Sequence, residues 1–161
     1  MNQALERRKA YGHIGELAFE KFCERNHIWY KQYGISNKEG FEMGDLYFKI
    51  PKLVQAAPDY IMIDNKFSFV ECKVADKATG DHVKIKEYDL KFYSQYDSLA
   101  EDGGLKFFIH NPKYKESYLV ELYYVRQLFE HGDLEYKFYP ESHKKFYIVP
   151  MDSIRRFGMS V

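Results

Sequence analysis

Asp59, Glu71 and Lys73 are residue types suited to phosphodiester chemistry, and their spacing brings them within reach of one another. Two carboxylates separated by eleven residues offer hard oxygen donors, and a lysine follows the second after a single intervening residue. A hard cation such as Mg²⁺ takes oxygen from one or two carboxylates, from water and from a substrate phosphate. Such a cation supplies Lewis acidity and an activated water. A lysine beside it positions or deprotonates that water, or stabilises the charge building on the phosphate.

The local pattern gives these residues a geometry. After Pro58 the run DYIMI, the polar DNK and the run FSFVECKV read as two strands joined by a tight turn. With the turn centred on Asn65, Ile63 faces Phe67 and Asp59 faces Glu71 further along the ladder. Side chains alternate along a strand, so Glu71 and Lys73 share one face while Cys72 and Val74 take the other. Directly opposed residues have Cβ atoms about 4.5–5.5 Å apart, where like charges destabilise a sheet. A divalent cation removes that conflict. Phe67 and Phe69 lie on the Glu71 face, so a helix is expected to cover it. The competing interpretation makes Asp59 a strand-start residue and Glu71 and Lys73 a solvated pair.

The elements that must hold this hairpin can be read from periodicity. Leu5, Tyr11, Ile14, Leu17, Ala18, Phe22 and Cys23 recur at helical steps over residues 2–26, with Gly12 and Gly15 expected to thin or interrupt the helix. A strand is predicted at 28–32. An irregular excursion with Gly34, Gly40 and Gly44 follows, with a small strand at 47–50. A second helix is predicted at 85–99, its stripe formed by Ile85, Tyr88, Leu90, Phe92, Tyr96 and Leu99 and its end set by Gly103 and Gly104. Strands at 105–110 and 118–124, a short helix at 125–130, and edge strands at Phe138 and 146–149 complete the chain. This order predicts an α/β or α+β fold, a central mixed sheet flanked by helices. We read 161 residues as a single domain, with a core at about 8–124 and a C-terminal extension at about 125–161.

Composition limits the alternatives. The 24 Lys and Arg balance 24 Asp and Glu, so a nucleic-acid surface must be a local patch rather than a global field. Aromatic residues make up 18% of the chain, more than most domains carry, and are assigned here to core and half-buried sheet rather than to base stacking. Cys23 and Cys72 lack partners at zinc-ligand spacing. No signal peptide and no membrane-spanning run is evident, and a cytoplasmic protein with no membrane partner is expected.

The set Pro58, Asp59 and Glu71-Cys72-Lys73 resembles the PD-(D/E)XK motif of the restriction-endonuclease-like nuclease superfamily. The helix carrying GELAFEKF is similar to the Gly-Glu start of archaeal Holliday-junction resolvases and related phage nucleases. The likeness spans roughly residues 8–120; the stretch 34–57 is longer than its counterpart, and nothing after Tyr124 corresponds. The resemblance implies that Asp59 and Glu71 bind Mg²⁺ or Mn²⁺, that Lys73 is the catalytic lysine, and that Glu16 completes the acidic cluster, with Glu20 as the fallback. It also implies that Lys86, Tyr88, Lys91 and Gln95 correspond to polar residues after the lysine motif, often including a glutamine that touches DNA.

Three basic groups are candidates for flanking phosphates. They are Arg7, Arg8 and Lys9; His82, Lys84, Lys86 and Lys91; and His143, Lys144, Lys145, Arg155 and Arg156. The resulting expectation is a Mg²⁺-dependent DNA endonuclease, active on junctions or other branched DNA in phage or mobile-element processing. Cutting two strands with one site per subunit is simplest for a symmetric homodimer. The alternatives are a nucleic-acid-binding or assembly module that keeps the fold without the reaction, and a nuclease acting on RNA.

Overall fold

The computed structural model describes residues 3–35, 49–132, 134–140 and 142–161, with side chains from Ala10 onward. Helix α1 (Gln3–Arg25) opens the chain and strand β1 (Trp29–Gln32) follows it. A one-turn helix α2 (Lys52–Gln55) precedes β2 (Tyr60–Asp64) and β3 (Lys66–Val74). Next come β4 (His82–Lys86), α3 (Glu87–Leu99), β5 (Leu105–Asn111) and β6 (Glu116–Glu121). Then follow α4 (Leu122–His131), β7 (Tyr136–Phe138), β8 (Lys145–Pro150), α5 (Met151–Phe157) and β9 (Met159–Ser160).

Six strands form a mixed sheet in the order β1-β2-β3-β5-β6-β9. β3 and β5 run parallel, and every other pairing in that sheet is antiparallel. The parallel pair needs a crossover, and α3 supplies it, covering one face. Each face has its own apolar layer. Phe19, Phe22 and Cys23 of α1 pack on Tyr60, Met62, Val70 and Phe108 on one side. On the other, Tyr93 and Tyr96 of α3 pack with Phe69, Phe107, Ile109 and Val125. Helices on both faces of a mixed central sheet are the predicted class.

The hairpin has the register expected of it: Ile63 pairs with Phe67, Asp64 with Lys66 and Tyr60 with Val70, around Asn65 at φ 59°. The helix continues through Gly12 and Gly15. A Cβ on Gly15 would lie 2.7 Å from Val74 Cγ2 and 3.4 Å from the Lys73 carbonyl oxygen, so this glycine marks the close approach of α1 to β3.

Other expectations need correction. Residues 82–86 form a strand, so α3 begins at Glu87 rather than at 85. In β4, Val83 and Ile85 are buried while Lys84 and Lys86 are exposed; alternation with period two wins over the helical stripe. Leu99 is 66% exposed, and the buried line on α3 runs through Tyr93, Tyr96 and the following Ala100. β6 ends at Glu121, and α4 starts there rather than at 125.

A second sheet, β4-β8-β7, was not foreseen as a unit. Nor were α5 and β9, whose Met151 and Ile154 join the α3-side core and whose Met159 pairs with Leu119. The expected strand at 47–50 falls partly on Tyr47 and Phe48, outside the described residues; Lys49 and Ile50 are not in a strand. Among the described residues, no helix is long and apolar enough to cross a membrane.

Candidate active site

The site forms where the β2–β3 ladder ends. The last ladder pair on that side is Tyr60 with Val70, which leaves Asp59 opposite Glu71 by continuation of the register. The backbone N–H groups of Tyr33 and Gly34 both donate to the Asp59 carbonyl, at 2.9 and 3.2 Å, and fix this residue against the end of β1. The Asp59 carboxylate leaves the strand direction and accepts the backbone N–H of Cys72 at 2.7 Å. A side chain thus satisfies a β3 donor that the shortened β2 does not reach.

Glu71 is only 7% exposed, and a buried carboxylate requires a partner. Lys73, two residues along the same face, donates to Glu71 Oε1 through its ammonium. Tyr93 of α3 closes the site from the covered face. Burial first, and then the charge of Glu71, hold the Tyr93 phenol well above its ordinary range.

Burial, and next the charge of Glu71, push the Asp59 carboxyl up to about 8; Lys73 and the Cys72 N–H oppose the rise, and Glu16 adds to it. Burial alone would favour neutral Lys73, yet Glu71 and Asp59 outweigh it and hold the ammonium above its ordinary range. The site is therefore a buried acid–acid–lysine cluster whose carboxylates compete for too little positive charge. That donor set fits a hard divalent cation, since two carboxylate groups in one buried place gain from a charge that a single lysine only partly supplies. In the arrangement observed, no three Asp, Glu, His or Cys side chains among the described residues converge as a metal-holding group.

Glu16 is carried in by the helix turn that Gly15 seats against β3, and it lies 3.4 Å from His13 Nδ1. Its charge reaches Asp59 and Cys72. Glu20, the fallback, is occupied elsewhere: it accepts the Tyr60 hydroxyl at 2.5 Å.

Beside Lys73 opens a cleft of about 520 Å³, lined on one side by Tyr11 and Gly12 of α1 and on the other by the β7–β8 turn. Lys84 and Lys86 project into it from β4, and Lys144 from the turn. Lys91 sits outside the lining, over the rings of Tyr88 and Phe92 at 4.3 and 5.1 Å, while Gln95 is exposed on α3. Arg7, Arg8 and Lys9 belong to α1, but their side chains are outside the described residues. In the C-terminal basic group, Lys145 pairs with Glu87 and Arg155 with Glu116 and Asp152, which leaves Lys144 as the member lining the cleft.

Tyr93, Tyr11 and Tyr139 are the participants that sequence reasoning missed. Tyr93 could have been found from the spacing 93–96–100. Tyr139 depends on how the second sheet folds back, for which no local signal exists.

No protein-family model matches the chain, and no curated protein is similar to it. Among solved structures, a nuclease from a fusselovirus superposes on it with a TM-score of 0.50 at 10% identity, covering 95% of this chain and 86% of that one. At that identity the likeness is one of architecture alone.

Proposed function

We propose that the chain is a nuclease that hydrolyses DNA phosphodiester bonds with a divalent cation, Mg²⁺ or Mn²⁺, held by Asp59 and Glu71 with Glu16 beside them. The observation that carries this reading is the buried Asp59–Glu71–Lys73 cluster at the wall of a lysine-lined cleft. The fold shared with a viral nuclease supports it, as does the resemblance of the motif to the PD-(D/E)XK superfamily.

Bound there, the cation supplies Lewis acidity at the scissile phosphate and lowers the pKa of a coordinated water. The chain's own residues do the remainder. The Cys72 N–H orients the Asp59 carboxylate. Lys73 keeps its proton on Nζ at neutral pH, because Glu71 and Asp59 hold it there. It therefore serves as a fixed positive charge for the oxygen on which negative charge accumulates. Tyr93 and the apolar layer behind Glu71 exclude water from one side of the cluster.

The test is cleavage of a panel of duplex, flap, single-stranded and four-way-junction DNA with Mg²⁺ or Mn²⁺, alongside calorimetric titration of the metal. Cleavage that is lost in Asp59→Ala and Lys73→Ala while circular dichroism stays unchanged supports the reading. Metal binding that does not depend on Asp59 and Glu71 refutes it.

A further inference from the structure

The second sheet turns one face to the cleft. Register places Lys84 beside Ile148 and Lys86 beside Phe146 on β4 and β8, and Lys137 beside Phe146 on β7. Lys84 Nζ lies 5.7 Å from the centre of the Phe146 ring. Tyr139, which follows β7 directly, packs its ring 4.4 Å from Phe146 at a 40° tilt. On the opposite wall, the Tyr11 hydroxyl donates to the Ala75 carbonyl at 2.6 Å, so its ring is anchored to the end of β3.

Between these two tyrosines the lining carries Lys73, Lys84, Lys86 and Lys144; Lys73 is paired with Glu71, Lys86 lies 3.9 Å from Asp89, and Asp76 lines the adjoining hollow. In a chain whose charges balance, the surplus that remains at Lys84 and Lys144 is a local positive surface.

From this we infer that the cleft takes single-stranded DNA, with a base stacked on Tyr139 and the backbone held by Lys84, Lys86 and Lys144. The inference deepens the nuclease reading by naming the form of its substrate, and it rests on that reading for cleavage but not for binding. Three observations converge on one strand rather than two. The cleft has walls on both sides and a volume in the range of small-molecule sites, which suits a few nucleotides in file. The walls carry aromatic faces, which a duplex with its bases stacked internally cannot use and a single strand can. The lysines share one lining with those rings, where they can meet the phosphates of a strand whose bases turn inward.

Binding is measured on the whole chain in EDTA, by fluorescence anisotropy with labelled oligothymidylate and with a blunt duplex of equal length. The expected result is a single-strand affinity about tenfold or more above that for the duplex. Tyr139→Ala removes about a factor of ten from single-strand affinity and leaves duplex binding unchanged, while Tyr139→Phe restores the wild-type value. If Tyr139→Ala lowers Tm, Tyr139→Leu, which keeps bulk against Phe146 without a π face, carries the comparison. Lys84→Gln and Lys144→Gln each reduce the salt dependence of single-strand binding by about 0.7 in log–log slope.

Duplex binding as tight as single-strand binding, or indifference to loss of the Tyr139 ring in a folded variant, overturns the inference. Duplex cleavage without strand preference does the same while leaving the nuclease reading intact. Single-strand binding without any cleavage in Mg²⁺ or Mn²⁺ refutes the nuclease reading and leaves the cleft assignment standing.

Discussion

The two sheets handle charge in opposite ways. The large sheet buries one carboxylate at the site: Glu71 packs between β5 and Tyr93 of α3, and Asp59, just ahead of β2, is bound to a backbone N–H. The small sheet keeps its lysines exposed and backs them with rings. Burial raises the electrostatic stakes of every group and fixes its position, which suits bond-breaking chemistry. Exposure keeps a charge cheap and mobile, which suits a grip on a flexible polyanion. Substitutions on the large sheet should therefore cost activity or stability, whereas those on the small sheet's cleft face should cost affinity alone.

The largest effect tests that division directly. Asp59→Ala and Lys73→Ala are each expected to lower the cleavage rate on the order of 10³-fold or more, measured under single-turnover conditions. DNA affinity in EDTA should change little by comparison. A loss of affinity equal to the loss of rate would erase the distinction between the two sheets.

Next comes the contact that seats α1. Gly15→Val places side-chain carbon against Val74, whose Cγ2 a Cβ would already meet at 2.7 Å, and beside the Lys73 carbonyl. An expected cost of about 1–3 kcal/mol, read from urea unfolding, follows from overpacking between α1 and the Val74 side chain. Because the same turn carries Glu16, activity should fall further than stability accounts for.

How much of this was legible in the sequence also divides between the sheets. The β2–β3 register could be read because a tight turn and strict alternation are local signals, and Asn65 with φ 59° is a residue type that tolerates that conformation. The position of Asp59 opposite Glu71 followed from it. The small sheet brings 82–86 against 145–150, strands some sixty residues apart, and β4 is only five residues long before α3 begins. Its alternation was absorbed into the helical stripe that follows. Tyr139 consequently drew no reading, Lys144 stood only among the basic candidates of the tail, and Leu99 was given a core position that Tyr93 holds. The short α5 and β9 lacked any pattern longer than two turns.

A graded effect, spread over several pH units, comes from titration. Asp59 in the fold keeps its proton up to about 8, against 3.8 ordinarily, so the folded chain binds more protons than the unfolded one across that window. Stability from this group is therefore fully present below about pH 4 and is lost as pH rises towards 8, by at most about 1.4 kcal/mol per unit. Thermal unfolding of the metal-free chain should show this decline, and Asp59→Asn should remove it. Mg²⁺ favours the ionised carboxylate, so its binding at pH 7 should release a proton, read by calorimetry in buffers of different ionisation enthalpy. A decline that persists in Asp59→Asn would assign it to other groups and leave the large sheet without its strained acid.

The smallest effect is expected on the outer edge of the small sheet. Phe138 is 56% exposed on β7, with its ring against Tyr136, and its partner in register is Lys145. It does not line the 520 Å³ cleft itself but the hollow that adjoins it, beside Asp76 and Lys77. Phe138→Ser should change stability by about 0.5 kcal/mol or less, since little apolar area leaves the core. Oligothymidylate affinity should also hold. The adjacent Lys137→Gln, on the cleft-side face, should instead weaken single-strand binding in low salt while leaving Tm unchanged. Two neighbours on one three-residue strand would then differ in function while agreeing in stability. If both are silent, the grip of the small sheet ends at Lys84, Lys86 and Lys144; if Phe138→Ser alone weakens binding, the nucleic acid extends into the hollow that adjoins the cleft.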